Sequence, residues 1–272
     1  MSIKLIAIDI DGTLLNPKKQ LTEANKEAIQ NARNHGIKIV LCSGRPLTGV
    51  RPYLKKLNLK GESEYAITFN GAMAQDADGK VISHLALTND EFIDAEALSH
   101  KWNTNFQVET TNSIYIFNRD VSKYSVMESF LVNLPIKFRT VREIVNSDTP
   151  VTKTIFIADP EKITKIKQNI PDDILKKLYV VQTEPCFLEM MNKHASKGHA
   201  LKNLAKKLNL DSSNVMAIGD QGNDVSMVKY AGSGIAMGNG IPDVKSVANH
   251  ITKTNQENGV AYAINHWALN QK

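Results

Sequence analysis

The stretch of the chain that decides the fold is Lys4-Leu5-Ile6-Ala7-Ile8-Asp9-Ile10-Asp11-Gly12-Thr13-Leu14-Leu15. Its first half is a short continuous apolar run, which is typical of a strand covered on both faces of a parallel sheet. Two carboxylates spaced by one residue, and then a glycine, follow this run directly. A turn that begins at Gly12 would let Asp9 and Asp11 converge on one point. The stretch therefore predicts a catalytic loop at the carboxyl end of a buried strand.

Two converging carboxylates repel each other unless a cation lies between them. Mg²⁺ fits this arrangement well, because it is a hard ion that binds one or two carboxylates together with a substrate phosphate. An Asp-rich turn or a helix cap would explain one of the two aspartates but not both. The stretch thus predicts a Mg²⁺ site that takes a phosphate group.

The composition of the chain is that of an ordinary globular protein. Its 272 residues allow one large domain or two of modest size, and 42% of them are hydrophobic and 22% charged. No apolar run of about 18 residues and no leader-like N-terminus occurs, so we expect a cytoplasmic protein without a membrane partner. Cys42 and Cys186 form neither a disulfide framework nor a metal-ligand spacing, and we expect both to be small buried apolar side chains.

The net charge of +5 comes from 33 Lys and Arg against 28 Asp and Glu. A basic chain can indicate a nucleic-acid partner. Here the lysines follow helical patterns, as in 162–167 and 202–207, and are typical of solvated helix faces. Because aromatic residues make up only 6% of the chain and no basic run is interleaved with them, we expect no nucleic-acid partner.

Strand-like apolar runs alternate with helical patterns over the two ends of the chain, and the runs are 4–8, 37–41, 65–69, 215–218 and 234–237. This alternation predicts a parallel sheet with helices on both faces. Thr22 can cap the first helix and Gly36 can end it. A second helix is predicted over 46–57, with Pro46 in its first turn.

The pattern changes between about residues 85 and 185. Helix-like segments near 90–102, 123–132 and 161–169 are mixed with alternating runs at 113–117 and 153–157. Such a mixture predicts a separate α+β domain with an antiparallel sheet. The predicted organisation is therefore a core in two parts, 1–84 and 186–272, with an α+β domain at 85–185 between them.

Further polar residues stand at predicted strand ends and helix starts. Ser43 and the amide of Gly44 can bind a phosphoryl oxygen, although a strand-to-helix turn with a serine cap explains them as well. Lys197 can neutralise carboxylates and a phosphoryl group together, although an exposed helix lysine is the simpler interpretation of this residue alone. A second apolar strand, over 215–219, runs into three polar residues. Asp220 can complete the metal site, Asn223 can orient the phosphate or Asp9, and Asp224 can hold Lys197 or the loop.

These motifs together resemble those of the haloacid dehalogenase-like phosphatase superfamily, which match Asp9-x-Asp11-Gly12-Thr13, Ser43, Lys197 and Gly219-Asp220-x-x-Asn223-Asp224. Within it the chain is most similar to the Cof-type sugar-phosphate phosphatases, over nearly its whole length. The resemblance implies an α/β fold with a Rossmann-like parallel-sheet core and an inserted α+β type II cap. The spacing agrees, since 154 positions separate Ser43 from Lys197 and a βα unit needs only about 30.

The resemblance also implies a mechanism for hydrolysing a small phosphate ester such as a sugar phosphate. Asp9 would attack phosphorus, and Asp11 would act first as the acid and then as the base. Mg²⁺ would be held by Asp9, Asp220 and the Asp11 main-chain carbonyl. The transferring oxygens would be held by Ser43, Lys197, Asn223 and the amides of Ile10 and Gly44. Asn70 would face the substrate or simply form an Asn-Gly turn.

Several alternatives stay open at this point. A phosphotransferase or phosphomutase would share every one of these residues. A non-catalytic phosphosugar-binding regulator would be expected to lack Asp9 or Asp11, and both are present. A Mg²⁺-dependent module that binds protein through its middle domain has no further support. Dehalogenation is disfavoured, because halide departure does not need the acid that Asp11 supplies. A homodimer is compatible with the sequence.

Overall fold

The opening apolar run forms strand β1 (Leu5–Asp9), and all of its residues are buried. The computed structural model describes residues 2–270. These residues divide into two units, each with its own sheet. Unit 1 contains residues 2–44, 50–83 and 196–270, and unit 2 contains residues 45–49 and 84–195. No helix within 2–270 is long and apolar enough to cross a membrane.

The sheet of unit 1 has eight strands in the order β14-β13-β12-β1-β2-β3-β4-β5. Besides β1, these are β2 (Lys38–Cys42), β3 (Tyr65–Thr68), β4 (Met73–Asp76), β5 (Val81–His84), β12 (Val215–Gly219), β13 (Ser233–Ala236) and β14 (His250–Ile251). From β14 to β3 the neighbours are parallel, as the alternation of strands and helices predicts. The predicted parallel sheet is confirmed for these strands. It is extended at one edge by β4, which pairs antiparallel to β3 because the turn Phe69–Gly71 reverses the chain.

The helices associated with this sheet are α1 (Glu23–Asn34), α2 (Leu47–Lys56), α8 (Lys197–Lys207), α9 (Val225–Tyr230), α10 (Pro242–Val247) and α11 (Gly259–Ala263). The predicted limits of α1 are confirmed, since Thr22 accepts a hydrogen bond from the Asn25 amide and Gly36 follows the helix with a positive φ. One core of unit 1 forms where Leu201 and Leu204 of α8 pack among strand residues such as Leu5 and Val40. Cys42 is a free, buried thiol in the same core, as predicted.

Unit 2 contains a six-stranded sheet in the order β10-β11-β9-β6-β7-β8. Its strands are β6 (Asn105–Glu109), β7 (Ile114–Ile116), β8 (Ile136–Phe138), β9 (Lys153–Ile157), β10 (Leu178–Glu184) and β11 (Phe187–Asn192). Its helices are α3 (Asn89–Lys101), α4 (Lys123–Val132), α5 (Val141–Val145), α6 (Pro160–Gln168) and α7 (Asp172–Lys177). All pairings are antiparallel except that of β7 with β8, so the α+β class predicted for this region is confirmed.

The second domain boundary lies later in the chain than predicted. The sequence pattern predicts residues 186–195 to lie in the core, but the structure places them in unit 2, and unit 1 resumes at Ser196. The physical reason is that β11 lies between β10 and β9 and forms hydrogen bonds with both. Cys186 is free and buried, as predicted, and it precedes β11 in the turn of this hairpin.

The two faces of the unit 2 sheet differ in polarity. One face packs apolar side chains such as Phe106 and Phe156 against Phe92 of α3 and Ile163 of α6. The other carries a buried ion cluster, in which the Lys153 ammonium lies 2.8 Å from Glu189 Oε1 and 3.2 Å from Glu109 Oε2. No local sequence pattern predicts this cluster, because its members come from three different strands.

Candidate active site

The site forms where β1 and β12 end side by side. These strands are parallel neighbours, so Asp9, the last residue of β1, and Asp220, which follows β12, reach the same edge of the sheet. Both carboxylates are buried, with 5% and 2% of the residue exposed. Together with Asp224 they offer three carboxylate oxygens within 4.8 Å of one another.

Lys197 links two of these carboxylates. It is the first residue of α8 and is wholly buried, and its Nζ lies 2.6 Å from Asp9 Oδ1 and 2.6 Å from Asp224 Oδ1. Burial lowers the pKa of a lysine, but the charges of Asp224 and Asp9 outweigh it and hold the pKa of Lys197 above its usual range. The interpretation of Lys197 as an exposed helix residue is therefore wrong.

Asp224 is a positioning residue within this group. Its Oδ1 accepts the bond from Lys197, and its Oδ2 accepts hydrogen bonds from the amides of Asp220 at 2.9 Å and Gln221 at 3.0 Å. A Cβ at Gly219 would lie 2.4 Å from Asp224 Cβ, so the glycine is required for this close approach. The carboxylate thereby joins the lysine to the loop that carries Asp220.

The turn after β1 also contacts the Asp220 carboxylate. Gly12 has φ +84°, and a Cβ at this position would lie 2.4 Å from Asp220 Oδ2. The Thr13 hydroxyl donates to Asp220 Oδ1 at 2.7 Å. The side-chain Nδ2 of Asn239 donates to the Gly12 carbonyl at 2.9 Å. Sequence reasoning assigned no role to Thr13 or Asn239. The opening motif contains Thr13 and could have indicated it, whereas Asn239 stands 227 positions from Gly12 and no local signal points to it.

Ser43, Gly44, Asn70 and Asn223 also come together in unit 1. The Ser43 carbonyl accepts a hydrogen bond from the Asn70 amide at 3.0 Å, and a Cβ at Gly44 would lie 3.0 Å from Asn70 Oδ1. Asn70 has the left-handed conformation of an Asn-Gly turn, with φ +53°, while its Oδ1 accepts a hydrogen bond from Asn223 Nδ2 at 2.9 Å. The two interpretations of Asn70 are therefore compatible, because one residue both forms the turn and contacts a candidate site residue.

Asp11 and Ile10 have contrasting surroundings. The Asp11 side chain is 40% exposed, and its Oδ1 lies 3.7 Å from Lys19 Nζ. Ile10 is fully buried, and its carbonyl accepts a hydrogen bond from the Leu15 amide at 3.0 Å. Of the two aspartates in the opening motif, Asp9 is thus held in the protein interior and Asp11 stays accessible to water.

The site concentrates negative charge away from solvent. Burial, followed by the charge of Asp224, raises the pKa of Asp9 well above its usual value, and Lys197 offsets this only in part. Burial raises the pKa of Asp220 to about 6. Asp9 Oδ2 is buried without a hydrogen-bond partner. An unpartnered carboxylate oxygen beside further carboxylates favours a bound cation.

Residues 6–264 match the haloacid dehalogenase-like hydrolases. The chain belongs to this family. Unit 1 is its Rossmann-like α/β core, and unit 2 is the inserted α+β cap. The order of the strands and the site at their carboxyl ends follow the general rule for open parallel sheets.

Relatives within the haloacid dehalogenase-like hydrolases share nearly the whole chain. A provisionally named phosphatase of Streptococcus pyogenes is 42% identical, over 99% of this chain and 100% of its own length. The 5-amino-6-(5-phospho-D-ribitylamino)uracil phosphatase YcsE of Bacillus subtilis is 32% identical, over 99% and 97%. The solved structure of BT4131, a subclass IIB sugar phosphatase, has a TM-score of 0.81 and 25% identity, over 98% and 99%. These similarities support phosphatase activity, the hydrolysis of a phosphate ester.

The residues present fit the Mg²⁺ that haloacid dehalogenase-like phosphatases generally use. The unpartnered Asp9 Oδ2 and the Asp220 carboxylate supply the hard oxygen ligands that Mg²⁺ prefers. Asp224, which binds Lys197 and two backbone amides, orients this group.

Proposed function

We propose that this chain is a Mg²⁺-dependent phosphomonoesterase that hydrolyses small phosphorylated metabolites, sugar phosphates among them, through an aspartyl-phosphate intermediate. The observation that carries the proposal is how the two oxygens of the Asp9 carboxylate are placed. One of its carboxylate oxygens is held 2.6 Å from Lys197 Nζ, and the other is buried without a hydrogen-bond partner. A carboxylate oriented in this way can present one oxygen to phosphorus.

The surroundings of Asp9 and Asp11 suit different roles in the two half-reactions. Asp9 attacks phosphorus, so that the bond to the leaving alkoxide breaks and an acyl-phosphate forms. Asp11 gives its proton to the leaving oxygen and then takes a proton from the water that attacks the acyl-phosphate. The 40% exposure of the Asp11 side chain leaves it accessible to that water. The second step releases inorganic phosphate and restores the Asp9 carboxylate.

The phosphoryl oxygens would be held by groups of unit 1. Lys197 supplies a buried positive charge beside the nucleophile. Further hydrogen-bond donors would come from Ser43, Asn223, Asn70 and the amides of Ile10 and Gly44. Mg²⁺, held by Asp9, Asp220 and the Asp11 main-chain carbonyl, would supply electrostatic stabilisation of the charge on the transferring group. Catalysis would then rest chiefly on positioning and electrostatics, as is usual in phosphoryl transfer.

The names of two similar proteins support small phosphorylated metabolites as substrates. YcsE is named for a phosphate ester on a ribityl chain, and BT4131 is described as a sugar phosphatase. Ribityl phosphates and sugar phosphates are both phosphate esters of molecules with several hydroxyl groups. A panel of sugar and polyol phosphates is therefore the first set of substrates to compare.

The test is phosphate release from p-nitrophenyl phosphate and from this panel, in Mg²⁺ and in EDTA. Wild type should turn over only with Mg²⁺, and Asp9→Asn should reduce turnover at least about 10⁴-fold, because no nucleophile remains. Asp243→Asn, which alters an exposed aspartate at the start of α10, is the control and should match wild type.

Acid-quenched wild type should also carry a hydroxylamine-labile phosphoryl label that Asp9→Asn lacks. Absence of turnover in folded, Mg²⁺-loaded wild type would contradict the proposed function. Undiminished turnover in Asp9→Asn would contradict the assigned nucleophile.

A further inference from the structure

Helix α4 in unit 2 has the reverse of the polarity that a surface helix normally shows. A typical surface helix buries an apolar stripe and exposes its polar residues. The buried residues of α4 are Ser125, Glu128 and Val132. Its exposed large side chains are Val126, Met127, Phe130 and Leu131.

The inward polarity of α4 has a cause within unit 2. Glu128 is 8% exposed, and burial raises its pKa, while the nearby charge of Lys153 lowers this pKa and that of Glu189 raises it. It therefore belongs to the buried ion cluster on one face of the unit 2 sheet. This cluster explains why a glutamate points inward, but it does not explain why apolar side chains point outward.

The outward side chains form one continuous surface. With 100° of rotation per residue, the exposed positions of α4 lie within an arc of about 140°, and Phe130 and Met127 lie on either side of its centre. Phe130 is 83% exposed, and Val126, Met127 and Leu131 are each about two-fifths exposed. Val121, just before α4, and Phe138, on the edge strand β8, are each about half exposed. We call the face formed by Val126, Met127, Phe130 and Leu131 the outer face of α4.

We propose that the outer face of α4 is a self-association surface, on which two copies of this chain pair about a twofold axis with their α4 helices antiparallel. Together with Val121 and Phe138 the face exposes on the order of 500 Å² of mostly apolar surface, at the upper end of what a monomer normally shows. Two such faces would bury roughly 1,000 Å², which is near the lower limit for a specific interface. The pairing is therefore weak and depends on concentration.

The distribution of charge on α4 favours the antiparallel arrangement. Lys123, at the first position of the helix, is the one charged residue among the exposed positions of α4. In an antiparallel pair it lies beside the carbonyl end of the other copy's α4, where a positive charge is favourable. In a parallel pair the two Lys123 side chains would lie next to each other and repel. Phenylalanine and methionine at the centre of the face also match the composition of protein interfaces.

The first test is sedimentation velocity of the full-length protein from about 1 to about 200 µM, a range that covers the dissociation constants of weak dimers. Wild type should pass from monomer to dimer within this range. Phe130→Asp should raise the dissociation constant at least about tenfold, because it places a charge at the centre of the apolar contact. Val81→Asp is the control, since Val81 is also half exposed but lies on β5 of unit 1. Circular dichroism melts show whether each variant is folded.

The second test addresses the arrangement of the two copies. Lys123→Glu should weaken the dimer, and Met127→Cys should form a disulfide-linked dimer under oxidising conditions, whereas Val81→Cys should not. The native Cys42 and Cys186 are buried and do not compete. A wild type that stays monomeric throughout, or a dimer that folded Phe130→Asp leaves intact, overturns the proposal. Monomeric protein that binds vesicles of anionic lipid through Phe130 would assign the face to a membrane surface and overturn it as well.

Discussion

At the scale of single residues, the candidate site depends on a glycine as much as on its charged groups. Gly12 and Gly36 both have left-handed backbone conformations, with φ of +84° and +77°. They differ in the space around them. A Cβ at Gly12 would lie 2.4 Å from Asp220 Oδ2, whereas no atom lies within 4 Å of the same position at Gly36. A comparison of alanine substitutions at these two glycines therefore separates the effect of backbone strain from the effect of displacing Asp220.

Gly12→Ala and Gly36→Ala should both lower the free energy of unfolding by about 1 to 2 kcal/mol, the usual strain of a left-handed alanine. Gly12→Ala should lose a further 1 to 3 kcal/mol, roughly, because the methyl group pushes against Asp220. It should also weaken Mg²⁺ binding, which Gly36→Ala should not. Urea unfolding and a Mg²⁺ titration measure the two effects. An equal decrease in the free energy of unfolding in both variants would show that Asp220 moves aside without loss of stability.

The positions of the candidate site carboxylates were largely predictable, because short local motifs contain them. An apolar run that ends in Asp9, and another that runs into Asp220, indicate carboxylates at strand ends without any knowledge of the fold. Lys197 was harder to assign, since an isolated lysine at a helix start is usually exposed. Only its burial between Asp9 and Asp224 shows which environment it occupies.

At the scale of elements, the unit 2 sheet carries charge where a buried face is normally apolar. Lys153 of β9 is surrounded by Glu109 of β6, Glu189 of β11 and Glu128 of α4. Three carboxylates thus share one ammonium group. Burial raises the pKa of Glu109 to about 8, although the charge of Lys153 opposes the rise.

The raised pKa of Glu109 predicts how the stability of the protein depends on pH. In the unfolded chain this carboxyl titrates near 4.5, and in the folded protein at about 8. Between these values the folded state binds a proton that the unfolded state does not, so this group makes stability fall as the pH rises. Glu109→Gln removes the contribution and leaves Lys153 paired with Glu189. Relative to wild type, the variant should therefore gain stability steadily from about pH 5 to about pH 8.

Urea unfolding at several pH values measures this difference. Glu161→Gln, which alters a glutamate on the exposed start of α6, is the control and should run parallel to wild type. A Glu109→Gln curve that also runs parallel to wild type would mean that Glu109 is ionised in the folded protein over the whole range.

The limits of sequence reasoning at this scale are illustrated by β11. The predicted boundary near residue 185 falls inside the hairpin of β10 and β11. A turn inside an antiparallel hairpin uses the same residue types as a connection between domains. The partners that place β11 in unit 2 are β9 and β10, and hydrogen bonding to them is a tertiary property.

At the scale of the whole molecule, the chain is two units with separate apolar cores, and each unit contains one tryptophan. Trp102 belongs to unit 2, where its ring lies 5.1 Å from that of Phe156. Trp267 belongs to unit 1, where its ring stacks on His250 at 4.7 Å. The carboxylate group of Asp9, Asp220 and Asp224 lies wholly in unit 1.

Mg²⁺ should therefore stabilise the unfolding transition of unit 1 more than that of unit 2. A ligand at 100 times its dissociation constant stabilises the state that binds it by about 2.7 kcal/mol. Trp102→Phe leaves Trp267 to report on unit 1, and Trp267→Phe leaves Trp102 to report on unit 2. Fluorescence melts with and without Mg²⁺ should show the larger shift in Trp102→Phe, and Asp220→Asn should abolish it. Equal shifts at both tryptophans would instead mean that the two units unfold as one.

The sequence by itself determined the α/β class, the inserted α+β region and the placement of carboxylates at the strand ends. Each of these is encoded locally, in apolar periodicity, in helix caps such as Thr22 and in motifs of a few residues. Local patterns are sufficient here because the direction of a parallel strand already decides at which edge of the sheet its last residue lies.

Only the tertiary structure decided which of these residues meet. The bond from Lys197 to Asp9 spans 188 positions, and that from Asn239 to Gly12 spans 227. The buried glutamates around Lys153 and the apolar outer face of α4 likewise depend on which side of an element is packed. Contacts of this kind follow from strand order, register and packing, which bring together residues that share no local pattern.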